Sequence, residues 1–321
     1  MDYINLAPQL GASSRLGFGC ASIMGRVGRE QSLRAIAAAL DAGISHFDVA
    51  RLYGYGEAEA LLGEALRGKR DKVVIATKFG LVAPRAATAL RGLKPLAQRI
   101  FASIPGSRQL FRALIGSTAQ PANRFTAQAA RESLETSLTA LKTDYVDILF
   151  LHDCTPADLT DELVSHLDAQ IAAGKIRSYG VASGTTTAAN LAASPEAPPV
   201  ILQFRNSICA RGAEALPPRT HRYIAHSPFL GADRLQQLHR SQPSLFRLST
   251  GRVLQPADIY PMMLSYALAT PSVGVVLCSM LDEAHLRSNL ASFDQPPFSN
   301  EEIHEFAAAL TGRPECLLDR D

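Results

Sequence analysis

Short apolar segments alternate with longer amphipathic segments along the whole chain. The apolar segments span three to six residues and are rich in Val and Ile, which is typical of strands buried on both faces of a parallel sheet. The predicted strands are Leu16–Gly19, Ile44–Asp48, Val73–Ala76, Val146–Phe150, Ile176–Val181, Val200–Leu202, Tyr223–Ala225 and Val273–Leu277. Their regular spacing predicts parallel strands that are joined by helices.

Between these strands, apolar residues recur at helical spacing. Before the fourth strand, for example, Leu134, Leu138 and Leu141 fall on one side of a helix for which Thr126 is a candidate N-cap. The predicted helices are Glu30–Ala42, Glu57–Leu66, Thr126–Leu141, Asp158–Ala173, Pro256–Ala269, Asp282–Ser292 and Asn300–Leu310. Eight strands in alternation with helices favour a closed (β/α)8 TIM barrel, and no shift in composition divides residues 1–321 into more than one domain.

An open, doubly wound sheet with a dinucleotide fingerprint is the alternative fold. It would rest on Gly17 and Gly19 beside the first strand, but Ser22 stands where the fingerprint needs its third glycine or an alanine. A tight turn is therefore the simpler interpretation of these two glycines.

The composition is that of a globular protein rather than a disordered one, with 47% hydrophobic and 19% charged residues among 321. The five cysteines are widely spaced and form no CxxC pair, so we expect neither a disulfide framework nor a metal site, and a reducing cytosol fits best. The N-terminal residues lack the features of a signal peptide, and no apolar stretch reaches the ~18 residues of a membrane span. We therefore expect a cytoplasmic protein without a transmembrane segment.

The net charge of +2 excludes a strongly basic nucleic-acid binder, but it conceals an uneven distribution. No acidic residue lies between Asp71 and Glu132. The basic residues of that stretch are Lys72, Lys78, Arg85, Arg91, Lys94, Arg99, Arg108, Arg112, Arg124 and Arg131. These ten charges leave a net charge of −8 on the rest of the chain.

Most of this basic stretch lies in a long insertion, residues 81–123, between the third strand and the third helix. Such connections usually have two to six residues, so the insertion is expected to overhang the carboxyl ends of the strands. Pro105 and Gly106 divide it into two basic amphipathic segments. One hypothesis is a lid that recruits an anionic substrate, an acidic partner or a membrane surface; the other is an insertion whose charges are simply solvated.

Polar residues mark the ends of three consecutive strands and the turn that follows one of them. They are Asp48 at the second strand, Tyr53 five residues later, Lys78 at the third strand and His152 at the fourth. Each one alone has an ordinary explanation as a packing residue, a helix cap or a solvated strand end. In a barrel, however, all of the strands end at one face, so the four together predict an active site there.

These residue types suit the reduction of a carbonyl group. A phenol has an ordinary pKa of ~10, and a nearby ammonium group such as Lys78 is expected to lower that pKa. Asp48 would hold Lys78, and His152 would hydrogen-bond a substrate oxygen or the phenol. The result would be a general acid, Tyr53, aimed at an oxygen that becomes an alkoxide when hydride arrives from a nicotinamide.

The segments that carry these residues resemble the aldo-keto reductase family. Phe47–Glu57 is similar to its Asp-x-Ala-x-x-Tyr-Gly motif, Val74–Lys78 to its lysine strand, Asp144–His152 to its histidine strand and Gly174–Val181 to its fifth strand. The resemblance extends from Leu16 to Asn289. It implies an enzyme that reduces an aldehyde or ketone with NAD(P)H, with Tyr53 as the proton donor.

The resemblance also implies an NADP-type cofactor that lies extended across the carboxyl ends of the strands. The positions implied to contact it are Gly19, Cys20, Ala21, Ser183, Gln203, His226, Ser227, Phe229, Ser279, Met280, His285 and Asn289. Several of them depart from the family pattern. Ala182 and Ser183 replace a Ser-Asn pair that binds the nicotinamide amide, although Ser183 could still donate, and His226 replaces an aromatic residue that stacks on the ring.

The largest departure concerns the clamp for the cofactor's 2′-phosphate. Ser279 and Met280 replace its usual Lys-Ser pair, and His285 replaces its arginine. Losing two firm cations weakens the preference for NADP, so NAD is the alternative cofactor. Arg287 could compensate, or it could simply be solvated.

Two other functions are compatible with parts of this pattern. One is an NAD(P)H-binding subunit that senses redox state or regulates a partner with little turnover. The other is a Schiff-base aldolase with Lys78 as the nucleophile, which would leave Asp48 and Tyr53 unexplained. The identity of the carbonyl substrate and the oligomeric state stay open.

Overall fold

The computed structural model describes residues 1–81, 124–194, 201–217, 223–270 and 273–313. Eight parallel strands follow one another around a closed barrel, as predicted. They are β1 (Leu16–Gly19), β2 (His46–Asp48), β3 (Val74–Phe79), β4 (Val146–His152), β5 (Ile176–Ala182), β6 (Ile201–Arg205), β7 (Tyr223–His226) and β8 (Val273–Cys278). The barrel closes where β8 pairs with β1, with Val276 opposite Leu16.

Helices surround the barrel. In the described residues they are α1 (Arg29–Asp41), α2 (Ala58–Ala65), α3 (Ala127–Leu141), α4 (Asp161–Ala172), α5 (Thr185–Ala193), α6 (Ala232–Ser241), α7 (Ile259–Ala269), α8 (Glu283–Asp294) and α9 (Asn300–Ala309). Helices α1 to α5 each follow the strand of the same number, α6 and α7 follow β7, and α8 and α9 follow β8.

The structure corrects the prediction in three places. Helix α5 was not predicted, because its sequence is mostly Ala and Thr and has little apolar periodicity. Helix α6 was not predicted either, although the buried Leu235 and Leu238 have helical spacing. After β6 the described residues contain a short 3-10 helix, Gly212–Ala215, which was also not predicted.

Helix starts follow the local capping chemistry. Thr126 caps α3 as predicted, since its Oγ1 accepts a hydrogen bond from the Ala129 N–H at 3.1 Å. Helices α4 and α7 begin later than predicted because short 3-10 helices, Pro156–Asp158 and Pro256–Asp258, precede them.

Alternation along the strands separates two buried layers. In β3, Val74 and Ala76 face the barrel interior, whereas Ile75 and Phe79 pack between the barrel and its helices. Lys78 shares the inward face with Ala76. The side chains that can reach the mouth of the barrel are therefore the inward-facing ones near the strand ends.

A two-stranded antiparallel ribbon, Tyr3–Ile4 with Ser13–Ser14, closes the other end of the barrel. Leu6 and Leu10, in the loop of this ribbon, belong to the same buried cluster as the inward-facing strand residues. Beside them, His46 is fully buried and its Nδ1 lies 2.8 Å from Ser13 Oγ. Burial lowers the pKa of His46 to about 4, so this histidine is neutral at pH 7.

The single domain over residues 1–321 stays a prediction. Residues 82–123 lie outside the described part of the chain. The two hypotheses on the 81–123 insertion concern these residues. A search of the described helices for one with the length and apolar character of a membrane span found none.

Candidate active site

A cavity of about 1600 Å³ opens at the carboxyl ends of the strands. Asp48 and Lys78 reach it from the ends of β2 and β3, His152 from the end of β4, and Tyr53 from the turn after β2. The structure thus brings together the four residues that the strand-end pattern singled out.

Asp48 is the centre of a buried hydrogen-bond network. Lys78 Nζ donates to Asp48 Oδ1 at 2.5 Å, and Gln203 Nε2 donates to Asp48 Oδ2 at 2.7 Å. All three residues are at most 4% exposed. Both oxygens of the carboxylate are therefore engaged, and the buried ammonium of Lys78 has the charged partner that burial demands.

Tyr53 begins a short turn, Tyr53–Gly56, whose backbone is tightly constrained. Gly54 has a φ of +57°, and a Cβ at this position would lie 2.6 Å from the Cβ of Met24, so only glycine fits. The Tyr53 ring lies 5.6 Å from Lys78 Nζ and stands edge-on to the His152 ring, with 6.3 Å between the ring centres. The phenol is thus held beside the buried ion pair.

The pKa of Tyr53 differs from the expectation. Burial raises it above its ordinary value, and the negative charge of Asp48 raises it further, whereas we expected Lys78 to lower it. The main reason is that the site is buried, and in addition Asp48 lies 2.5 Å from Lys78 Nζ and opposes its positive charge. Tyr53 is therefore protonated at neutral pH.

His152 is neutral at neutral pH. Burial first, and then the positive charge of Lys78, lower its pKa to about 3. A neutral imidazole has one donor and one acceptor nitrogen. His152 can therefore orient a carbonyl oxygen by a hydrogen bond without adding charge to the site.

Ten of the twelve positions implied to bind the cofactor line the cavity. They are Gly19, Ala21, Ser183, Gln203, His226, Ser227, Phe229, Ser279, His285 and Asn289. The side chains of Cys20 and Met280 instead lie in the core between the barrel and its helices, at 0% and 1% exposure. These two positions can offer a ligand only backbone groups.

Two of the lining residues use their donors within the protein. The Ser183 hydroxyl donates to the carbonyl oxygen of Cys154 at 2.9 Å, and the Gln203 amide donates to Asp48. Ser183 was expected to donate to a ligand. The structure instead leaves the Ser183 and Gln203 side-chain oxygens as acceptors for an N–H group of a ligand.

His226 ends β7 and is half-buried at the cavity wall. Its Nδ1 lies 2.9 Å from Ser227 Oγ, which fixes the ring orientation. Burial is the main cause that lowers the pKa of His226 to about 4, so the ring is uncharged at neutral pH. It therefore offers a flat, neutral surface.

The rim of the cavity after β8 is exposed and internally paired. Asp282 caps α8 by accepting the His285 N–H at 2.8 Å, and its second oxygen lies 2.9 Å from His285 Nδ1. Arg287 lies 2.9 Å from Glu283, with both side chains more than 70% exposed, and it does not line the cavity. The compensating role considered for Arg287 therefore has no support in this geometry.

Some residues that line the cavity were not predicted from the sequence to be functional. They include Arg26, Asp153, Arg205, Arg234 and Tyr260. A signal existed for Arg205, because it lies two residues after Gln203 on β6 and so shares its inward face. Asp153 also had a signal, since it directly follows the last residue of β4. The other three lie in a loop or near helix starts, where no strand end marks them.

Sequence comparisons place the chain among reductases. The model of the "Aldo/keto reductase family" matches residues 15–226. The protein "Aldo-keto reductase YhdN" of Bacillus subtilis is 33% identical over 189 residues, which is 57% of this chain and 47% of the relative, so the match spans about half of that relative. "Uncharacterized oxidoreductase YqkF" of the same organism is 23% identical over 313 residues, 90% of each chain.

Solved structures have the same fold. The "aldo-keto reductase AKR11C1 from Bacillus halodurans (holo form)" superposes with a TM-score of 0.69 at 22% identity and covers 96% of each chain. An aldo-keto reductase from Klebsiella pneumoniae, solved in complex with NADPH, has a TM-score of 0.63 at 23% identity, over 92% of this chain and 91% of its own.

Proposed function

Because the chain belongs to the aldo/keto reductase family, we propose that it reduces an aldehyde or a ketone with a nicotinamide dinucleotide. The observation that carries this proposal is the phenol of Tyr53 beside the buried Asp48–Lys78 pair, in the same cavity as a neutral His152. This arrangement offers a proton to a carbonyl oxygen and stabilises the charge left behind.

The cavity suits a nicotinamide dinucleotide. Its volume of about 1600 Å³ exceeds the roughly 300–1,000 Å³ of an ordinary small-molecule pocket, so a dinucleotide and a carbonyl compound can share it. The oxygens of Ser183 and Gln203 can accept from the amide of a nicotinamide, and His226 offers a flat ring for it to stack on. NADPH in the Klebsiella pneumoniae structure supports the same class of cofactor.

The proposed reaction divides the work between cofactor and protein. When bound, the nicotinamide supplies the hydride. Tyr53 donates a hydrogen bond to the carbonyl oxygen and passes its proton to that oxygen as it becomes an alkoxide. The raised pKa keeps the proton on Tyr53 until this strong base forms. Lys78, held by Asp48, then stabilises the phenolate, and His152 orients the carbonyl.

The geometry disfavours the aldolase alternative. A Schiff-base lysine must present a neutral amine to its substrate. Lys78 instead has its Nζ engaged in a buried ion pair with Asp48 at 2.5 Å. Borohydride trapping of an adduct on Lys78 would reinstate the aldolase.

We expect the chain to use both NADP(H) and NAD(H). The family resemblance favours NADP(H), but Ser279 and His285 stand at the positions of the cations that clamp its 2′-phosphate. His285 Nδ1 already contacts Asp282 at 2.9 Å, so this nitrogen is engaged within the protein. The dissociation constants for the two cofactors should therefore differ by no more than about tenfold, which is less than one charge-assisted hydrogen bond contributes.

The proposal is tested by fluorescence titration with NADPH and NADH, followed by a panel of aldehydes and ketones. The Tyr53→Phe variant should bind both cofactors as the wild type does and should lose turnover by about 100- to 10,000-fold. Tyr55→Phe, which removes a phenol from the same turn but outside the cavity lining, is the matched control. Cofactor binding without Tyr53-dependent turnover would contradict the proposal and favour a redox-sensing subunit.

A further inference from the structure

Glu59 is a buried carboxylate that the proposed reaction does not use. It lies in the first turn of α2 and is only 4% exposed. Within the described residues no lysine, arginine or histidine forms an ion pair with it. A buried carboxyl group is costly unless it is hydrogen-bonded, so its partner indicates why it is there.

One hydrogen-bond partner of Glu59 is Thr77, which is next to Lys78 in β3. Thr77 Oγ1 donates to Glu59 Oε1 at 2.6 Å, within the roughly 2.5–2.7 Å range of a hydroxyl bound to an ionised carboxylate. Burial raises the pKa of Glu59, while hydrogen bonds from Thr77 and Ser137, and then the positive charges of Arg51 and Lys78, oppose this shift. The short distance is that of the stronger, charge-assisted kind of hydrogen bond.

This hydrogen bond joins the two elements that carry the proposed proton donor and its lysine. Thr77 and Lys78 are neighbours on β3, so Thr77 faces α2 while Lys78 faces the cavity. Helix α2 begins at Ala58, two residues after the turn that carries Tyr53. Glu59 therefore holds the strand of Lys78 and the segment of Tyr53 together from outside the barrel.

Helix α2 is a firm anchor for this contact. Leu61 and Leu62 are buried against the barrel, and Gly63 lies so close to α3 that a Cβ there would be 2.3 Å from the carbonyl oxygen of Leu141. Packing this dense resists displacement. A hydrogen bond from α2 can therefore fix the position of Thr77, rather than follow it.

We propose that Glu59 is a positioning residue that sets the distance between Lys78 and Tyr53 through its hydrogen bond to Thr77. This inference rests on the proposed function, because it needs Tyr53 and Lys78 to act in the reduction. A small misplacement of a reacting group lowers the rate of the chemical step more than it lowers substrate binding. Loss of the hydrogen bond should therefore lower kcat and leave KM almost unchanged.

The test compares Glu59→Ala, Thr77→Val and the double variant by steady-state kinetics. Each single change should lower kcat about tenfold, with KM for the carbonyl and the cofactor within about twofold. The double variant should be no slower than the slower single variant, since the hydrogen bond between Glu59 and Thr77 is lost in all three. Glu59→Gln and Thr77→Ser keep an acceptor and a donor, so they should recover most of kcat.

Glu64→Ala is the matched control, because Glu64 is on the same helix but is exposed and pairs with Arg29 at 2.5 Å. The inference is wrong if Glu59→Ala matches this control once kcat is corrected for the folded fraction from circular dichroism. Additive losses in the double variant, or a rise in KM at constant kcat, would also overturn it. If Glu59→Ala does not fold, the comparison of kcat between Thr77→Val and Thr77→Ser tests the inference instead. Full activity of Tyr53→Phe would instead overturn the proposed function, whatever the Glu59 variants show.

Discussion

The polar groups inside the barrel and those on the rim after β8 are held in opposite ways. Inside, Asp48, Lys78 and Gln203 are at most 4% exposed and form one network. On the rim, Asp282 and His285 form a contact of similar length, 2.9 Å, with side chains 47% and 70% exposed. Two opposite charges at a given distance attract each other several-fold more strongly when protein surrounds them than when water does. Contacts of similar length are therefore expected to contribute more to stability in the interior than on the rim.

The largest expected effect is that of Lys78→Met in the interior. Removing the ammonium leaves Asp48 buried without its cation, which should lower the free energy of unfolding by about 3–5 kcal/mol. It also removes the charge that we propose to stabilise the Tyr53 phenolate, so turnover should fall about 1,000-fold. Urea unfolding and single-turnover reduction measure the two effects.

Lys175→Met is the control for that change, since Lys175 pairs with Glu135 on the surface, where the side chains are 40% and 51% exposed. Its loss should cost less than about 1 kcal/mol and leave turnover unchanged. If the two lysine variants were equally stable, burial would not separate the two kinds of ion pair.

The sequence predicts the interior better than the rim, for physical reasons. Closure of the barrel brings all strand ends to one face, so Asp48, Lys78 and His152 could be placed from strand positions alone. The hydrogen bond from Gln203 to Asp48 depends on which inward-facing residues meet across the barrel, and no local pattern encodes that. Glu59 was missed because a carboxylate on an amphipathic helix looks like a solvated one.

On the rim the sequence does not reveal which residues pair. The family resemblance implies that His285 stands at the position of an arginine, whereas its contact with Asp282 depends on how α8 is capped. The prediction that Lys78 lowers the pKa of Tyr53 was wrong for a related reason. That prediction considered the charge of Lys78, but it considered neither the burial of Tyr53 nor the short distance between Lys78 and Asp48.

Acid should destabilise the protein through His46, the second largest effect. Its pKa is about 4 in the folded protein and ordinarily 6.5, so below pH 6.5 the unfolded chain binds a proton that the folded protein does not. The free energy of unfolding should therefore fall by about 3 kcal/mol between pH 6.5 and 4 from this residue alone. His152 and His226, with lowered pKa values of about 3 and 4, add to the loss in the same direction.

His46→Asn isolates this contribution, because asparagine can keep a hydrogen bond to Ser13 and does not titrate. Urea unfolding at pH 7, 5.5 and 4.5 should show a shallower loss of stability for this variant than for the wild type. The matched control is His304→Asn, which removes a histidine at an exposed position of α9. An equal slope in all three proteins would mean that the interior takes up protons as readily as the surface.

Adding cations to the rim should have a smaller effect, confined to one cofactor. The double variant Ser279→Lys with His285→Arg supplies two charge-assisted contacts for a 2′-phosphate, so NADPH should bind about 10- to 100-fold more tightly. NADH lacks that phosphate, and its dissociation constant should stay within about twofold. A wild type that already prefers NADPH by more than about 100-fold would show that other cations, such as Arg26, form the clamp.

The smallest expected effect is that of Arg287→Ala, and it tests whether the rim is as weakly coupled as its exposure indicates. Arg287 pairs with Glu283 one helical turn away, and these side chains are 71% and 75% exposed. Such a pair contributes about 0.3–0.5 kcal/mol to stability, and the side chain does not line the cavity, so the NADPH dissociation constant should stay within about twofold. If NADPH alone bound tenfold more weakly, Arg287 would have to leave Glu283 for the phosphate. The cost of breaking an exposed pair is low enough for a ligand to supply, whereas breaking the pair of Asp48 and Lys78 is not.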